Sequence, residues 1–593
     1  ASLKMKNKRM RTNRCTTTWL LMAMAMCLSL SASARAEVIG RVSNVVPSTI
    51  QVSPNGDHVL VVCVNPQTKK RQVYLDGKAL PGVYDAIADG TPFFSEDGEH
   101  HAFVGTRGEQ CMVVLDGVEQ APYAITKEGW PFAGLVFGSD AGKTHLAYQA
   151  SKDGRHYVVV NGKALGPYDS VIAKDKPAQR GIWDFRFEGD YFSYRAKVGE
   201  KMVACRGHIN GSDITLTTSK RYELIGSGSP VRIGGRTDAN DSELFAFVAK
   251  EGLGKESIRI LPGDEPISDT TWKYIAPGTL RASPAQPGEV VYVGGNTQWN
   301  VVVGGKQWPA CERLGRLMAS PSGATWACMA KTDGKLFVMV NGVAGKVYSQ
   351  IQHGKTLFPA GDERVIYGAS TLDGSKTPAR IVVDGKEGKA YTQVRGDSVV
   401  FSADKKSMAY VAGDGNKNFV VLDGKEGPPF DDIYDLRFSP VGSRLAYGAR
   451  RGLNHFILEA GKGVEGNKEH GPYENIQRGS LVFRPDGKDI AWAAFGADGN
   501  WHVCLNGKTI EEGCDRIISQ ITFADGVSAP AYVGRYVSDG KPSFAMSYAG
   551  TPGRAYDAIW MGDGGKLFVQ EDGSIKYFAK SGSLLYRNIE KRD

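Results

Sequence analysis

Beyond its first thirty residues the chain has no run of about 18 consecutive apolar residues, so nothing downstream reads as a membrane-spanning helix. It has no GxSxG nucleophile elbow, and no long amphipathic tract remains for an α/β-hydrolase domain, which excludes the peptidases that often accompany repeated β-structure. There is no HExxH pair and no CxxC spacing, so neither a zincin site nor a dithiol redox site is expected. The ten histidines are scattered, and only His100 and His101 adjoin.

Net charge is a further near-absence. The formal +8 belongs to the N-terminus: residues 1–36 hold seven Lys and Arg and no acid, so the remainder carries only +1. A nearly neutral chain with interspersed charges leaves no electrostatic footprint for nucleic acid or anionic lipid. Lys4, Lys6, Lys8, Arg9, Arg11 and Arg14, then an apolar run from Trp19 to Leu30, then Ala34-Arg35-Ala36, have the three-part layout of a secretory signal peptide with cleavage expected after Ala36. A lipoprotein reading at Cys27 is weaker, because Met26 stands where a small residue belongs. Residues 1–36 are therefore read as a signal, and the mature chain as periplasmic or secreted.

Seven cysteines lie beyond the signal: Cys63, Cys111, Cys205, Cys311, Cys328, Cys504 and Cys514. An exported chain can form disulfides, and the short spacings make Cys311/Cys328 and Cys504/Cys514 the candidate pairs. Buried thiols packed on strands are the other reading.

Glycine, by contrast, is abundant: the 73 glycines sit between short apolar runs, which favours an all-β protein. The stretch from Phe419 to Ala449, FVVLDGKEGPPFDDIYDLRFSPVGSRLAYGA, is the unit that recurs. Val420, Val421 and Leu422 stop at Asp423-Gly424, the dipeptide of a tight hairpin turn. Ile433, Leu436 and Phe438 mark a second extended run, and Leu445, Ala446 and Tyr447 begin a third. VYLDGKAL at Val73, VVLDGVEQ at Val113, VMVNGVAG at Val338 and IVVDGKEGKAYTQV at Ile381 repeat the phrase. Unit starts near Ile50, Ala88, Gly134, Trp183, Val231, Thr279, Leu317, Leu357, Val399, Asp435, Leu481, Ile521 and Trp560 lie about 36 to 49 residues apart, the range of four-stranded blades.

The two ends carry partial units. Val38 to Val42 reads as a lone strand donated to a sheet completed elsewhere, a means of clasping a ring. The units near Val231 and Thr279 lose the clean Asp-Gly turn, which suits a domain edge, and the segment from Cys205 to Tyr222 reads as an extended loop or a longer hairpin. Because a single core usually stops growing near 250 to 300 residues, the expected organisation is two tandem β-propellers of six to seven four-stranded blades, residues 37–310 and 311–593.

FSPVGSRLAYGA, FRPDGKDIAWAA and FSEDGEHHAFVG resemble the WD40-like PD40 repeat of the TolB propeller family. The resemblance implies a β-propeller in a family whose exported members often act through protein contacts.

Individual candidates for chemistry resolve into architecture. Asp431 and Asp432 are successive strand residues whose side chains diverge, and Asp85, Asp169, Asp515 and Asp557 fill the same slot, so a repeated turn task is expected of them. Asp414 to Asn418 begins like a calcium loop, but Lys425 stands where the bidentate acid belongs, and a hairpin tip fits better. Gly226-Ser227-Gly228 lacks the third glycine and the helix of a dinucleotide loop and reads as a linker. Trp130, Trp183, Trp272, Trp299, Trp308, Trp326, Trp492, Trp501 and Trp560 mostly follow the repeat and suit packing between sheets. Trp299 and Trp501 sit nearer loop tips and are the candidates for a ligand groove. No catalytic residue, cofactor or metal is assigned. The expected function is an exported, non-catalytic scaffold in the cell envelope binding another envelope protein, with a carbohydrate-binding or carbohydrate-cleaving protein and a glycan partner as the alternative.

Overall fold

Each Asp-Gly or Asn-Gly dipeptide does in three dimensions what its backbone freedom allows. Asp76 and Gly77 both take positive φ (49° and 74°), as do Asp423 and Gly424 (48° and 80°), the conformation of a two-residue turn whose twist matches its strands. The Asx side chain also clamps the neighbouring strand. Asp76 Oδ1 accepts from Val59 N at 2.9 Å, and Asp423 Oδ1 from Met408 N at 2.8 Å. Asp116, Asn161, Asn341, Asp384 and Asn506 repeat the contact at 2.8 to 3.0 Å. One residue thus sets both the outer hairpin and the register of the sheet behind it.

The computed structural model describes residues 33–125, 132–140, 142–169, 182–235, 243–252, 254–352, 357–371, 378–461, 468–510, 513–524, 527–548 and 551–591. These residues form thirteen antiparallel sheets of four to six strands, joined by short connections, with four 3₁₀ turns and no α-helix among them. In chain order the blades are 51–79, 86–124, 132–169, 182–218, 224–261, 274–307, 313–344, 350–387, 393–426, 432–473, 475–509, 516–552 and 558–591, numbered here 1 to 13. No described helix is long and apolar enough to cross a membrane.

The core lies between the blades. Thirteen buried clusters each join one blade to the next, and the last joins blade 13 to blade 1 through Phe578 and Leu585 against Val59 and Val61. This corrects the expected pair of tandem propellers: there is one ring of thirteen blades. At the expected join, Val291 and Val301 of blade 6 share a core with Cys328, Phe337 and Met339 of blade 7, so packing runs unbroken through residues 310 and 311. Blades 5 and 6, whose turn signals are degraded, are complete. The residues from Lys201 to Thr218 make a long hairpin.

The ring is clasped by the N-terminal strand, Ser33–Arg41, which pairs antiparallel with Leu584–Lys591. The expected cleavage point falls inside this strand: Ala36 pairs with Asn588 and Glu37 with Arg587. The strand crosses the outer turn of blade 1 so closely that a Cβ on Gly40 would lie 2.6 Å from Gly77 Cα. The rest of the stretch expected to be a signal, with Cys15, Cys27 and the apolar run to Leu30, lies outside the described residues.

Cys311, Cys328 and Cys504 are buried thiols, so neither expected disulfide is present. Cys311 and Cys328 are packing residues of one inter-blade core, and Cys504 belongs to the core between blades 10 and 11 while Cys514 belongs to the next.

Candidate functional site: clefts on the inner rim

The innermost strand of a blade has one edge with no strand beyond it, and such edges invite unwanted pairing. Here most are broken. In blade 2, Ala86–Ile87 and Phe93–Phe94 both pair with His101–Arg107, and residues 88–92 loop out between them. The Thr91 hydroxyl staples the break, donating to Ala88 O at 2.7 Å and accepting from Val104 N at 3.4 Å. Thr279, Ser398 and Ser480 make the same pair of bonds in blades 6, 9 and 11. Blades 3, 4 and 10 keep an unbroken but bulged inner strand, Phe132–Asp140, Ile182–Glu188 and Asp432–Phe438.

Where the looped-out segment of blade 2 meets the continuous strand of blade 3, the rim opens into a cavity of about 680 Å³. Its wall is apolar, formed by Ile87, Ala88, Phe93, Val104, Phe132 and Leu135. Arg71 and Asp89 supply the charge, the Arg71 guanidinium donating to Ile87 O at 3.5 Å and the Asp89 carboxylate exposed. A second cleft of about 430 Å³ shares Phe93 and reaches past Phe94 to Met561, Asp563 and Phe568 of blade 13. A third, about 360 Å³, lies between blades 3 and 4 against Phe137, Phe185 and Phe187. Phe93 and Phe137 touch edge to face at 5.4 Å between centroids, so aromatic wall runs from blade 13 to blade 4.

Among the described residues each cleft holds a single carboxylate: Asp89, Asp563 or Glu96. Glycoside hydrolysis needs two flanking the scissile bond, about 5 to 10 Å apart. The Thr91 hydroxyl is committed to its staple, with no base positioned to activate it. The arrangement can therefore bind an apolar group and orient it with one charge of either sign, and among the described residues it brings no two carboxylates together. No described group of three or more His, Cys, Asp or Glu could hold a metal ion.

The residues singled out in the sequence lie elsewhere. Asp85, Asp169, Asp431 and Asp557 each accept from the backbone N–H of a turn glycine, Gly108, Gly199, Gly452 and Gly582, at 2.6 to 2.7 Å. Those bonds hold the Asp85 carboxyl below its ordinary value, with Lys70 assisting. Asp515 instead meets Arg535. Asp432 diverges from Asp431 and lies between Arg395 and Arg478 at 3.1 and 2.6 Å; burial opposes its ionisation, and the two guanidinium groups prevail to hold its pKa down. Asp414 and Lys417 close a tight hairpin, and Asn418 faces Gly413 across it.

His100 bonds Asp116 at 2.7 Å, while His101 is buried beside it. Gly226 to Gly228 is no linker: it is the break in the inner strand of blade 5, with Gly228 N donating to Asp184. Trp299 and Trp501 are also reassigned. Each opens a third strand, bridges to Cys311 or Cys514, and packs half-buried into an inter-blade core. Trp130 lies outside the described residues. The clefts themselves are formed by residues to which no chemistry was attached. Their one visible mark in the sequence is an excess of phenylalanine, Phe93-Phe94 after Thr91-Pro92 and Phe185 and Phe187 around Arg186.

No protein-family model matches the chain, and no curated protein does. Solved structures similar to it include a eukaryotic initiation factor (10% identity over 69% of this chain and 95% of that one, TM-score 0.29). TolB from Acinetobacter baumannii is similar at 11% identity over 60% and 78%, TM-score 0.21, and the tricorn protease at 11% over 77% and 57%, TM-score 0.20. At these scores the likeness says nothing of function, and the propeller architecture rests on the sheets and cores themselves.

Proposed function

We propose that this protein is an exported, non-catalytic scaffold of the cell envelope that binds an extended segment of another protein along the inner rim of blades 13 and 1 to 4. The observation that carries the reading is the set of apolar clefts around Phe93, each furnished with one carboxylate. Apolar walls with few polar groups suit side-chain capture. The carbohydrate reading has less support, since Trp299 and Trp501 are committed to packing. Export is supported by the N-terminal layout of basic, apolar and small residues.

The test is capture of a partner from envelope extract by the mature chain, beside a glycan array, with Leu135→Asp as the paired variant. The reading requires a captured protein whose retention falls at least about tenfold in the variant, about 1.4 kcal/mol. A glycan hit with no such protein, or capture indifferent to Leu135→Asp, overturns it. Export is tested separately by the N-terminus of the envelope-fraction protein, expected at Glu37.

A further inference from the structure

On the face that carries the turns between first and second strands, blades 4 and 5 bring together a cluster of cationic and aromatic side chains that the rim clefts do not use. Arg206 lies on the third strand of blade 4, opposite Ser193 and Thr217. Its guanidinium carbon stands 5.1 Å from the ring centre of Tyr191 and 5.9 Å from that of Phe245, which belongs to blade 5. Tyr191 stacks on His208 at 4.3 Å and 15°, and Arg232 approaches the same ring at 5.4 Å.

Among the described residues, five arginines have a buried Nε with no hydrogen-bond acceptor: Arg206, Arg259, Arg380, Arg535 and Arg587. Three of them meet an oxygen through another nitrogen, Arg259 at Asp264 O, Arg380 at Glu387 and Arg587 at Asp57 O, and Arg535 Nε itself lies 3.4 Å from an Asp515 carboxylate oxygen. Arg206 meets none among the described residues. The nearby acids are already engaged: Glu243 takes Arg232 through both oxygens at 3.0 and 2.7 Å, and Asp190 takes His145 at 2.8 Å. Glu188, whose backbone carbonyl accepts from Arg232, has its carboxyl pushed up by burial, which weakens its claim on a cation.

Stacking accounts for the faces of a guanidinium and leaves its in-plane N–H groups without acceptors. A buried donor in that state is costly unless something completes it. We infer that Arg206, with the hydroxyl of the Tyr191 ring on which it stacks, binds an oxyanion, the chemistry shared by carboxylate, sulfate and phosphate groups. A planar or tetrahedral oxyanion fits the paired donors of the guanidinium edge.

The experiment titrates the full chain with acetate, sulfate and inorganic phosphate at ionic strength matched with chloride, following heat of binding and melting temperature, so that the three arms separate the sources. At least one should bind saturably and raise the melting temperature above its chloride control. Arg206→Gln should weaken that binding at least about tenfold, the loss of one charge-assisted bond. Tyr191→Phe keeps the stacked ring and should weaken it several-fold, so the site stays testable if Arg206→Gln fails to fold. A selenate soak should place an anomalous peak within hydrogen-bond distance of Arg206. Indifference to all three anions, or equal binding by wild type, Arg206→Lys and Tyr191→Phe, would show Arg206 to be a packing residue only.

Discussion

Closure of the ring can be tested at a single pair of glycines. Gly77 has positive φ (74°) in the outer turn of blade 1, and a Cβ there would lie 2.6 Å from Gly40 Cα and 3.2 Å from Ile39 O, both in the clasping N-terminal strand. Gly385 occupies the same turn position in blade 8 with φ 77°, and a Cβ there would meet nothing within 4 Å. Both Gly→Ala substitutions incur the left-handed cost of about 1 kcal/mol. Only Gly77→Ala adds the overpacking cost, about 1–3 kcal/mol, because the obstacle is backbone and cannot rotate away. The difference should appear locally, as amide exchange across 37–41 and 584–591 accelerated about 5- to 150-fold over the Gly385→Ala control. Gly40→Ala should reproduce it, and the double variant should fall short of the sum because both changes break one contact. If Gly77→Ala and Gly385→Ala exchange alike in those segments, the strand does not clasp the ring as described.

Three further outcomes follow from named bonds. Asp423→Ala should destabilise blade 9 by about 1–2 kcal/mol in urea unfolding, through loss of the acceptor for Met408 N, while Asp423→Asn should be near neutral since Asn161, Asn341 and Asn506 make the same bond. Burial would raise the Glu459 carboxyl, yet bonds from His470 at 2.8 Å and Arg444 at 2.6 Å hold it down at about 2. A depressed carboxyl contributes stability that is full above about pH 4.5 and lost as pH falls through about 2, here on the order of 3 kcal/mol, so Glu459→Gln should flatten that part of the pH–stability curve. Finally, burial pushes the Cys328 thiol up to about 12, so it should resist alkylation until denaturant is added, and reductant should leave the melting temperature unchanged.

The blades were legible because their signals are local. Asp423-Gly424 announces a turn by backbone freedom alone, and the starts read from Ile50 to Trp560 number the same thirteen units the sheets do. The clasp was legible for the same reason, since Val38 to Val42 is a strand with no unit of its own. The clefts were not, because each is shared by blades whose facing residues, such as Phe93 and Leu135, lie about forty positions apart in the chain. Nothing in Thr91-Pro92 reveals that the hydroxyl will staple a broken strand, and Trp501 looks like a loop tip until its bridge to Cys514 fixes it in a core.

Ring number is a separate matter, and the reason it was misjudged lies in what closes a ring. Size alone argues for two domains, since one globular core stops growing near 300 residues. A ring escapes that limit because its core is divided among interfaces, each the concern of two neighbours, as in other repeat proteins. Thirteen blades need turn only about 28° from one sheet to the next, so adding blades widens the ring without burying anything deeper. What a second ring would require is a second pair of ends brought together near residues 305–320. There the chain has no orphan strand: Lys306–Gln307 completes blade 6, Arg313–Leu314 begins blade 7, and Trp308 and Cys311 between them are buried in the core the two blades share. A single unmatched strand among the described residues, Ser33–Arg41, means a single clasp, and a single clasp closes one ring.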